Sequence, residues 1–149
     1  MASPRPCPLC ELVGAASKKT IVVAAVGNDG PEEDNISCPA NSTSCIGVGS
    51  IEEDDTVADY SSRGTPSNLK PDIIAPGCIR YGNFKLEGTS IAAPFVSASA
   101  ALLLSAGAMD KKRVVDAILD TADDKGFPKW VQGYGSIRTD KALEMIIYG

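Results

Sequence analysis

The chain has 149 residues, is 44% hydrophobic and carries a net charge of -5, which suits one globular domain. The acidic balance and the lack of a Lys/Arg cluster argue against a nucleic-acid or anionic-membrane partner. There is no histidine, which excludes from this chain alone every mechanism that needs an imidazole base or ligand.

The N-terminal region carries two cysteines at short spacing. Residues 1–9 show neither periodicity nor a signal-peptide pattern, so we expect an unstructured stub. Cys7 and Cys10 have the spacing of a redox or zinc pair. Because no second pair follows and no strand precedes them, the pattern favours neither role. The five cysteines permit at most two internal disulfides, and their pairing is left open.

A helix is predicted next, from Cys10 to Lys19, with Leu12, Val13 and Ala16 on one side and lysines in its last turn. It precedes an unbroken apolar run, Ile21–Val26, which is typical of a parallel strand covered on both faces.

Three such strands are predicted, near residues 21–26, 45–51 and 72–75, which indicates an α/β fold with a mostly parallel sheet. The first ends in the loop Gly27-Asn28-Asp29-Gly30-Pro31. Open α/β sheets bind ligands at this end of their strands. A plain turn without a ligand is the alternative, since Gly, Asn, Asp and Pro are also the residues that turns favour.

The segment Glu87-Gly88-Thr89-Ser90 leads into a long predicted helix near residues 89–106. Ser90 would lie beside the first N–H groups and the positive end of the helix dipole, which suits a nucleophile. An ordinary N-capped helix is the alternative. Because no residue from Ile91 to Met109 is charged, we expect this helix to be buried all round and the most buried of the chain. Pro94 and the many Ala and Ser residues argue against a membrane span.

Two further helices are predicted in the last third, near residues 110–121 and 137–147. Gly133-Tyr134-Gly135-Ser136 is expected to cap the second of them. No repeat, linker or low-complexity segment divides residues 10–149, so we expect one domain there.

Three motifs occur together in the order of one known family. They are Val26-Gly27-Asn28-Asp29-Gly30, the segment from Lys70 to Gly77 (KPDIIAPG), and the segment from Gly88 to Pro94 (GTSIAAP). The chain resembles the subtilisin-like serine proteases, the subtilases, from about Cys10 to its end. The resemblance implies the C-terminal half of a peptidase domain, with a central buried helix that starts at the nucleophile.

The resemblance also implies roles for individual residues. Ser90 matches the nucleophile, and Asn28 matches the side-chain donor of the oxyanion hole, which it would form with the backbone N–H of Ser90. The implied substrate-binding residues are Val26, Gly27, Cys38, Pro39 and Ala40. The family usually has a larger residue at the Cys38 position, so the resemblance leaves the preferred substrate side chain open.

Departures from the family pattern limit what this chain does alone. The family's order is Asp, His, Ser, and the first two are absent here. Phe95 stands where the family usually has a non-catalytic histidine, and Ile91 where it has methionine. We therefore expect an inactive chain whose partner is the N-terminal half of the peptidase domain. Lys85 or Glu87 serving as the base is one alternative, and a non-catalytic binding or structural module is another.

Cofactors and location follow only from the resemblance. Catalysis in this family needs no cofactor, and its members often carry structural calcium, for which no specific motif occurs here. The expected substrate is a peptide or protein. The family leans towards secretion, but the sequence itself does not indicate a compartment.

Overall fold

A computed structural model describes residues 7–108 and 110–149. Its centre is a parallel sheet of strands β1 (Val23–Ala25), β2 (Ile46–Ile51) and β3 (Ile73–Pro76), in the order β1-β2-β3. Every residue of β2 is buried, as expected for the middle strand of a sheet covered on both faces. The prediction of an α/β domain with a parallel sheet is confirmed.

Five helices are described: α1 (Pro8–Ala16), α2 (Thr89–Ser105), α3 (Lys111–Asp120), α4 (Lys129–Gln132) and α5 (Thr139–Tyr148). Helix α2 packs on the sheet, and α3 and α5 close the same core, which includes Val48, Val96, Leu103, Val114 and Ile146. The Asp110 carboxylate caps α3 by accepting a hydrogen bond from the Lys112 N–H. The short helix α4 was not predicted.

The expectation that α2 is buried on every face is wrong. Only one face is buried, through residues such as Ala92, Val96 and Leu103. On the rest of its circumference Phe95, Leu102 and Leu104 are each more than two-fifths exposed. One layer of this chain covers α2, and no second layer of described residues lies against the other side.

The N-terminal predictions need two corrections. Helix α1 begins at Pro8 and ends at Ala16, so residues 8 and 9 of the predicted stub are helical; residues 1–6 lie outside the described part. No residue of α1 is fully buried, and Leu12 is 66% exposed. Val13 alone of the predicted inward side chains packs against a core cluster, because the helix lies on the surface.

A hairpin that the sequence analysis missed connects β3 to α2. Strands β4 (Cys78–Tyr81) and β5 (Phe84–Glu87) are antiparallel and almost entirely exposed. Its two-residue loop contains Gly82, whose φ of 57° suits glycine. Alternating apolar residues around Gly-Asn are a hairpin signal, and they were available in the sequence.

Residues 133–136 do not cap α5, which begins after Arg138 without a side-chain cap. They extend the sheet instead. The Ile74 N–H donates to the Gly135 carbonyl and the Ile137 N–H to the Ile74 carbonyl, both at 2.9 Å. Their backbone groups thus occupy the free edge of β3, which would otherwise be left unpaired.

The charged residues of the KPDIIAPG motif stabilise the fold. The buried Lys70 ammonium forms an ion pair with Asp72 and donates to the Cys45 carbonyl at 2.9 Å. The same Asp72 oxygen accepts a hydrogen bond from the Gly47 N–H at 2.6 Å. The pair therefore joins the amino ends of β2 and β3, at the opposite end of the sheet from Asn28.

Candidate active site

The candidate site lies at the carboxyl end of the parallel sheet. Asn28 is in the loop that follows β1, and Ser90 is the second residue of α2. A backbone hydrogen bond of 2.9 Å from the Gly88 N–H to the Gly77 carbonyl ties the start of α2 to the end of β3. Two distant parts of the sequence thus meet where α/β folds bind their ligands.

Thr89 fixes the orientation of the Asn28 side chain. Asn28 Oδ1 accepts hydrogen bonds from the Thr89 N–H at 2.9 Å and from the Thr89 hydroxyl at 3.0 Å. Thr89 Oγ1 in turn accepts a hydrogen bond from the Gly27 N–H at 3.2 Å. Because the amide oxygen is engaged in this way, the Nδ2 group is the end of Asn28 that is left to meet a ligand.

Gly88 leaves the space between Asn28 and Ser90 open. A Cβ at this buried position would lie 3.3 Å from Ser90 Oγ and 3.4 Å from Asn28 Nδ2. The hydroxyl and the amide donor therefore border one small volume that a side chain would fill. The φ of 151° at Gly88 is also one that other residues rarely adopt.

Ser90 is exposed and its backbone N–H points out of the helix end. As the second residue of α2 it has no carbonyl four residues earlier within the helix to accept its N–H. The positive end of the helix dipole adds to this favourable setting for a negative charge. The structure thus brings together the two donors that the sequence analysis expected, Asn28 and the Ser90 N–H. Their catalytic roles remain predictions.

No base is in place for Ser90 among the residues that the structure describes. Its Oγ makes no hydrogen bond to another described side chain. Lys85 and Glu87, the alternatives from the sequence, instead form an ion pair with each other on the exposed hairpin. The hydrogen bond to Glu87 raises the pKa of Lys85, so the amine stays protonated at neutral pH and does not accept the serine proton.

The five predicted substrate-binding residues divide by exposure. Val26 and Ala40 are fully buried and pack in one small core cluster with Cys45. Cys38 is exposed, and Gly27 and Pro39 are partly exposed. The Ser37 N–H donates to the Val26 carbonyl at 2.8 Å, which holds the 38–40 segment against the end of β1. Side-chain contact with a substrate is therefore open to Cys38 and Pro39, with Gly27 offering its backbone.

A cavity of about 280 Å³ lies elsewhere in the structure. Its lining includes Ile21, Ile46 and Asp72, which stand at the amino ends of the three strands. It is thus separated from Ser90 by the length of the sheet. The candidate site is therefore the one at Asn28 and Ser90, because an apolar hollow at the amino end of the sheet offers neither a serine on the first turn of a helix nor an oriented amide.

Thr89 is the residue that sequence reasoning missed. Its position in the sequence suggests no more than a helix cap, yet Thr89 is 1% exposed and orients the Asn28 amide. A hydroxyl-bearing residue beside the nucleophile was visible in the sequence. Its partner, 61 residues away, was not, because only the fold brings the two loops together.

Within residues 7–108 and 110–149, one group of three side chains of metal-ligand type lies close together, Cys7, Cys10 and Cys38, and two of these are joined in a disulfide. The family's structural calcium stays a prediction. No helix in the same part of the chain has both the length and the apolar character that a bilayer crossing requires.

The site is thus a serine on the first turn of the helix that packs on a parallel sheet, beside an oriented asparagine amide, within an α/β fold. The family model described as the subtilase family, peptidase S8, matches residues 3–136. The chain belongs to the subtilase family.

Known proteases are also similar to this chain in sequence or in structure. The human membrane-bound transcription factor site-1 protease is 30% identical over 151 residues, covering 87% of this chain and 14% of the relative. Serine protease AprX of Bacillus subtilis strain 168 is 36% identical over 127 residues, covering 65% and 29%. The solved structure of the patellamide maturation protease PatA is 26% identical with a TM-score of 0.79, covering 100% of this chain and 60% of that one. This chain therefore spans less than a third of these two curated relatives and about three-fifths of the solved chain.

Proposed function

We propose that this chain supplies the nucleophile and the oxyanion hole of a serine endopeptidase. Ser90 Oγ attacks the scissile carbonyl, and the negative charge that develops on its oxygen is stabilised by Asn28 Nδ2 and the Ser90 N–H. Collapse of this intermediate gives an acyl-enzyme, which water then hydrolyses. The observation that carries the proposal is the Asn28 amide, whose oxygen is held by Thr89 so that its N–H₂ group lies beside Ser90.

The proposal requires a base from outside the chain. A serine hydroxyl is a weak nucleophile unless a neighbouring group takes its proton, and this chain has no histidine. We propose that a segment carrying an aspartate and a histidine, corresponding to the N-terminal half of the peptidase domain, packs against it. Exposed apolar side chains on both flanks of α2, Phe95 and Leu102 on one side and Leu104 on the other, support this, because exposed apolar surface of that kind needs a covering layer.

The experiment is reconstitution. The chain is prepared alone and together with a segment that supplies the aspartate and histidine, co-expressed or fused ahead of residue 1. Hydrolysis of a peptide ester and a peptide amide is then followed. We expect turnover only when both parts are present, and its loss in Ser90→Ala. Ser97→Ala, at an exposed serine two turns further along the same helix, is the matched control and should retain full turnover.

Two outcomes would contradict the proposal. A complex that forms, unfolds cooperatively and yet shows no turnover would favour the non-catalytic module. Turnover by the chain alone, abolished by Ser90→Ala and close to that of an intact protease, would show that a residue of this chain serves as the base. In that case the partner segment would not be needed for the chemistry.

A further inference from the structure

Three cysteines from separate parts of the sequence meet at the surface. Cys7 and Cys38 form a disulfide, and the free Cys10 thiol lies 3.7 Å from Cys38 Sγ. The three sulfur atoms all lie within 4.8 Å of one another. Cys38 is exposed, and Cys7 and Cys10 are partly exposed. A reduced sulfur is therefore in van der Waals contact with one end of an accessible disulfide.

The start of α1 produces this arrangement. Cys7 is the residue that precedes the helix, and Cys10 follows one turn later, with its N–H donating to the Cys7 carbonyl at 2.9 Å. The two sulfurs therefore face the same side. The Cys10 thiol also donates a hydrogen bond to Asn41 Oδ1 at 3.1 Å. Asn41 belongs to the loop that carries Cys38, so this contact fixes Cys10 beside its neighbour.

We propose that Cys7, Cys10 and Cys38 form a thiol–disulfide exchange site in which Cys38 changes partner. The Cys10 thiolate attacks Cys38 Sγ, the Cys10–Cys38 bond forms, and the Cys7–Cys38 bond breaks. Cys10 gives its proton to water, and Cys7 leaves as a thiolate that takes up a proton from water. One disulfide replaces another, so no oxidant or reductant is consumed.

The surroundings favour exchange in both directions. The Cys7 thiolate is released at the N-terminal end of α1, where the helix dipole favours negative charge. The two other free cysteines do not compete. Cys45 is buried, and burial raises its pKa, which keeps it as an unreactive thiol. Cys78 lies on the separate β4–β5 hairpin and is not a member of the cluster.

The exchange would change which residue near the start of α1 is bonded to the loop that carries Cys38. Helix α1 has no fully buried residue and packs against a core cluster through Val13, so the disulfide adds a covalent constraint to limited packing. Moving the bond from Cys7 to Cys10 attaches the loop one helical turn further along α1. Since Pro39 and Ala40 follow Cys38 directly, the change occurs next to the segment that is implied to bind substrate. The exchange chemistry itself depends only on the three sulfurs and stands without the protease proposal.

The first test is disulfide mapping of the unmodified chain. The oxidised protein is held near pH 8, its free thiols are trapped with N-ethylmaleimide, and the bonded cysteine pairs are identified by peptide mass spectrometry. We expect both Cys7–Cys38 and Cys10–Cys38 species. In Cys10→Ser only Cys7–Cys38 should be found, and in Cys7→Ser only Cys10–Cys38. A single Cys7–Cys38 species in the unmodified chain, at equilibrium with a trace of small thiol, would overturn the proposal.

The second test measures the attack itself. In a Cys7→Ser, Cys45→Ala, Cys78→Ser variant, an aromatic disulfide reagent converts Cys10 or Cys38 to a mixed disulfide, and the release of the coloured thiol that follows attack by the other cysteine is timed. We expect first-order release, independent of protein concentration and at least about a hundredfold faster than in the same chain unfolded in guanidinium, because the native fold holds the sulfurs together. Adding Cys10→Ala should leave a lasting mixed disulfide.

Two further results would overturn the proposal. Equal release rates in native and unfolded chains would show that the fold does not hold Cys10 ready to attack. Stoichiometric binding of Zn²⁺ by the reduced protein, lost in each single serine variant and accompanied by no exchange in the oxidised protein, would make the cluster a metal site instead.

Discussion

Replacing Asn28 by aspartate separates two functions of one side chain. Oδ1 accepts two hydrogen bonds from Thr89, and Nδ2 is the proposed donor to the oxyanion. Aspartate keeps an acceptor oxygen for Thr89 and removes the donor. Alanine removes both.

The magnitudes follow from these contacts. Each net hydrogen bond contributes about 1 kcal/mol, so Asn28→Ala should lower the free energy of unfolding by roughly 2 kcal/mol. Asn28→Asp should change it by less than about 1 kcal/mol, because the Thr89 bonds persist and the exposed carboxylate stays hydrated. Both variants should lose on the order of a hundred- to a thousandfold in turnover, the range known for this donor in subtilisin itself, with a nearly unchanged Michaelis constant.

The assay uses the reconstituted protein. Turnover and the Michaelis constant are measured with a peptide ester, and the free energy of unfolding is measured with urea. Asp29→Asn, which changes the neighbouring charge and leaves Asn28 intact, is the control and should remain active. Unchanged turnover in Asn28→Asp would remove Asn28 from the mechanism. A loss of stability as large as that of Asn28→Ala would show that Thr89 does not hold the amide through Oδ1.

Three further predictions concern stability and association. Thr89→Val should lower the free energy of unfolding by roughly 2 kcal/mol because it leaves the Gly27 N–H without its acceptor, whereas Thr89→Ser should lose less; urea unfolding of the reconstituted protein measures both. Lys70→Met should lower the free energy of unfolding by roughly 2–3 kcal/mol, because it leaves the Asp72 carboxylate without its cation. The loss should be smaller than for a fully buried pair, since the Asp72 side chain is 26% exposed. An unchanged urea midpoint would refute this prediction. The chain alone should associate in sedimentation experiments as its concentration rises, and Leu102→Lys should reduce this; a monomer with sharp thermal unfolding would contradict us.

The parallel sheet could be predicted from local sequence because its strands are unbroken apolar runs. The run Ile21–Val26 indicated β1, and the apolar residues near 45–51 and 72–75 indicated β2 and β3. Helix α3 was predicted for a similar reason, since Asp110 marks its start and its apolar residues recur at helical spacing. Each of these signals is contained in a few neighbouring residues.

Features that depend on distant contacts could not be predicted in this way. The uncharged sequence of α2 indicated burial on all sides, but burial depends on which layers are present, and only one face is covered. Residues 133–136 have the composition of a cap, yet they pair with β3 because its edge is free. At the site, Ser90 and Asn28 could be named through the family resemblance. The Thr89 contact and the meeting of Cys10 with Cys38 both require the fold.

We propose that Ser90 is a nucleophile that needs a base from another segment. Labelling with a serine-directed fluorophosphonate, followed by peptide mass spectrometry, tests it most directly, since the reagent reports attack by the hydroxyl without requiring a correct substrate. We expect rapid labelling at Ser90 when the segment carrying aspartate and histidine is present, almost none in the chain alone, and none in Ser90→Ala. Equal labelling of Ser90 with and without that segment, or labelling at another serine such as Ser97, would contradict it.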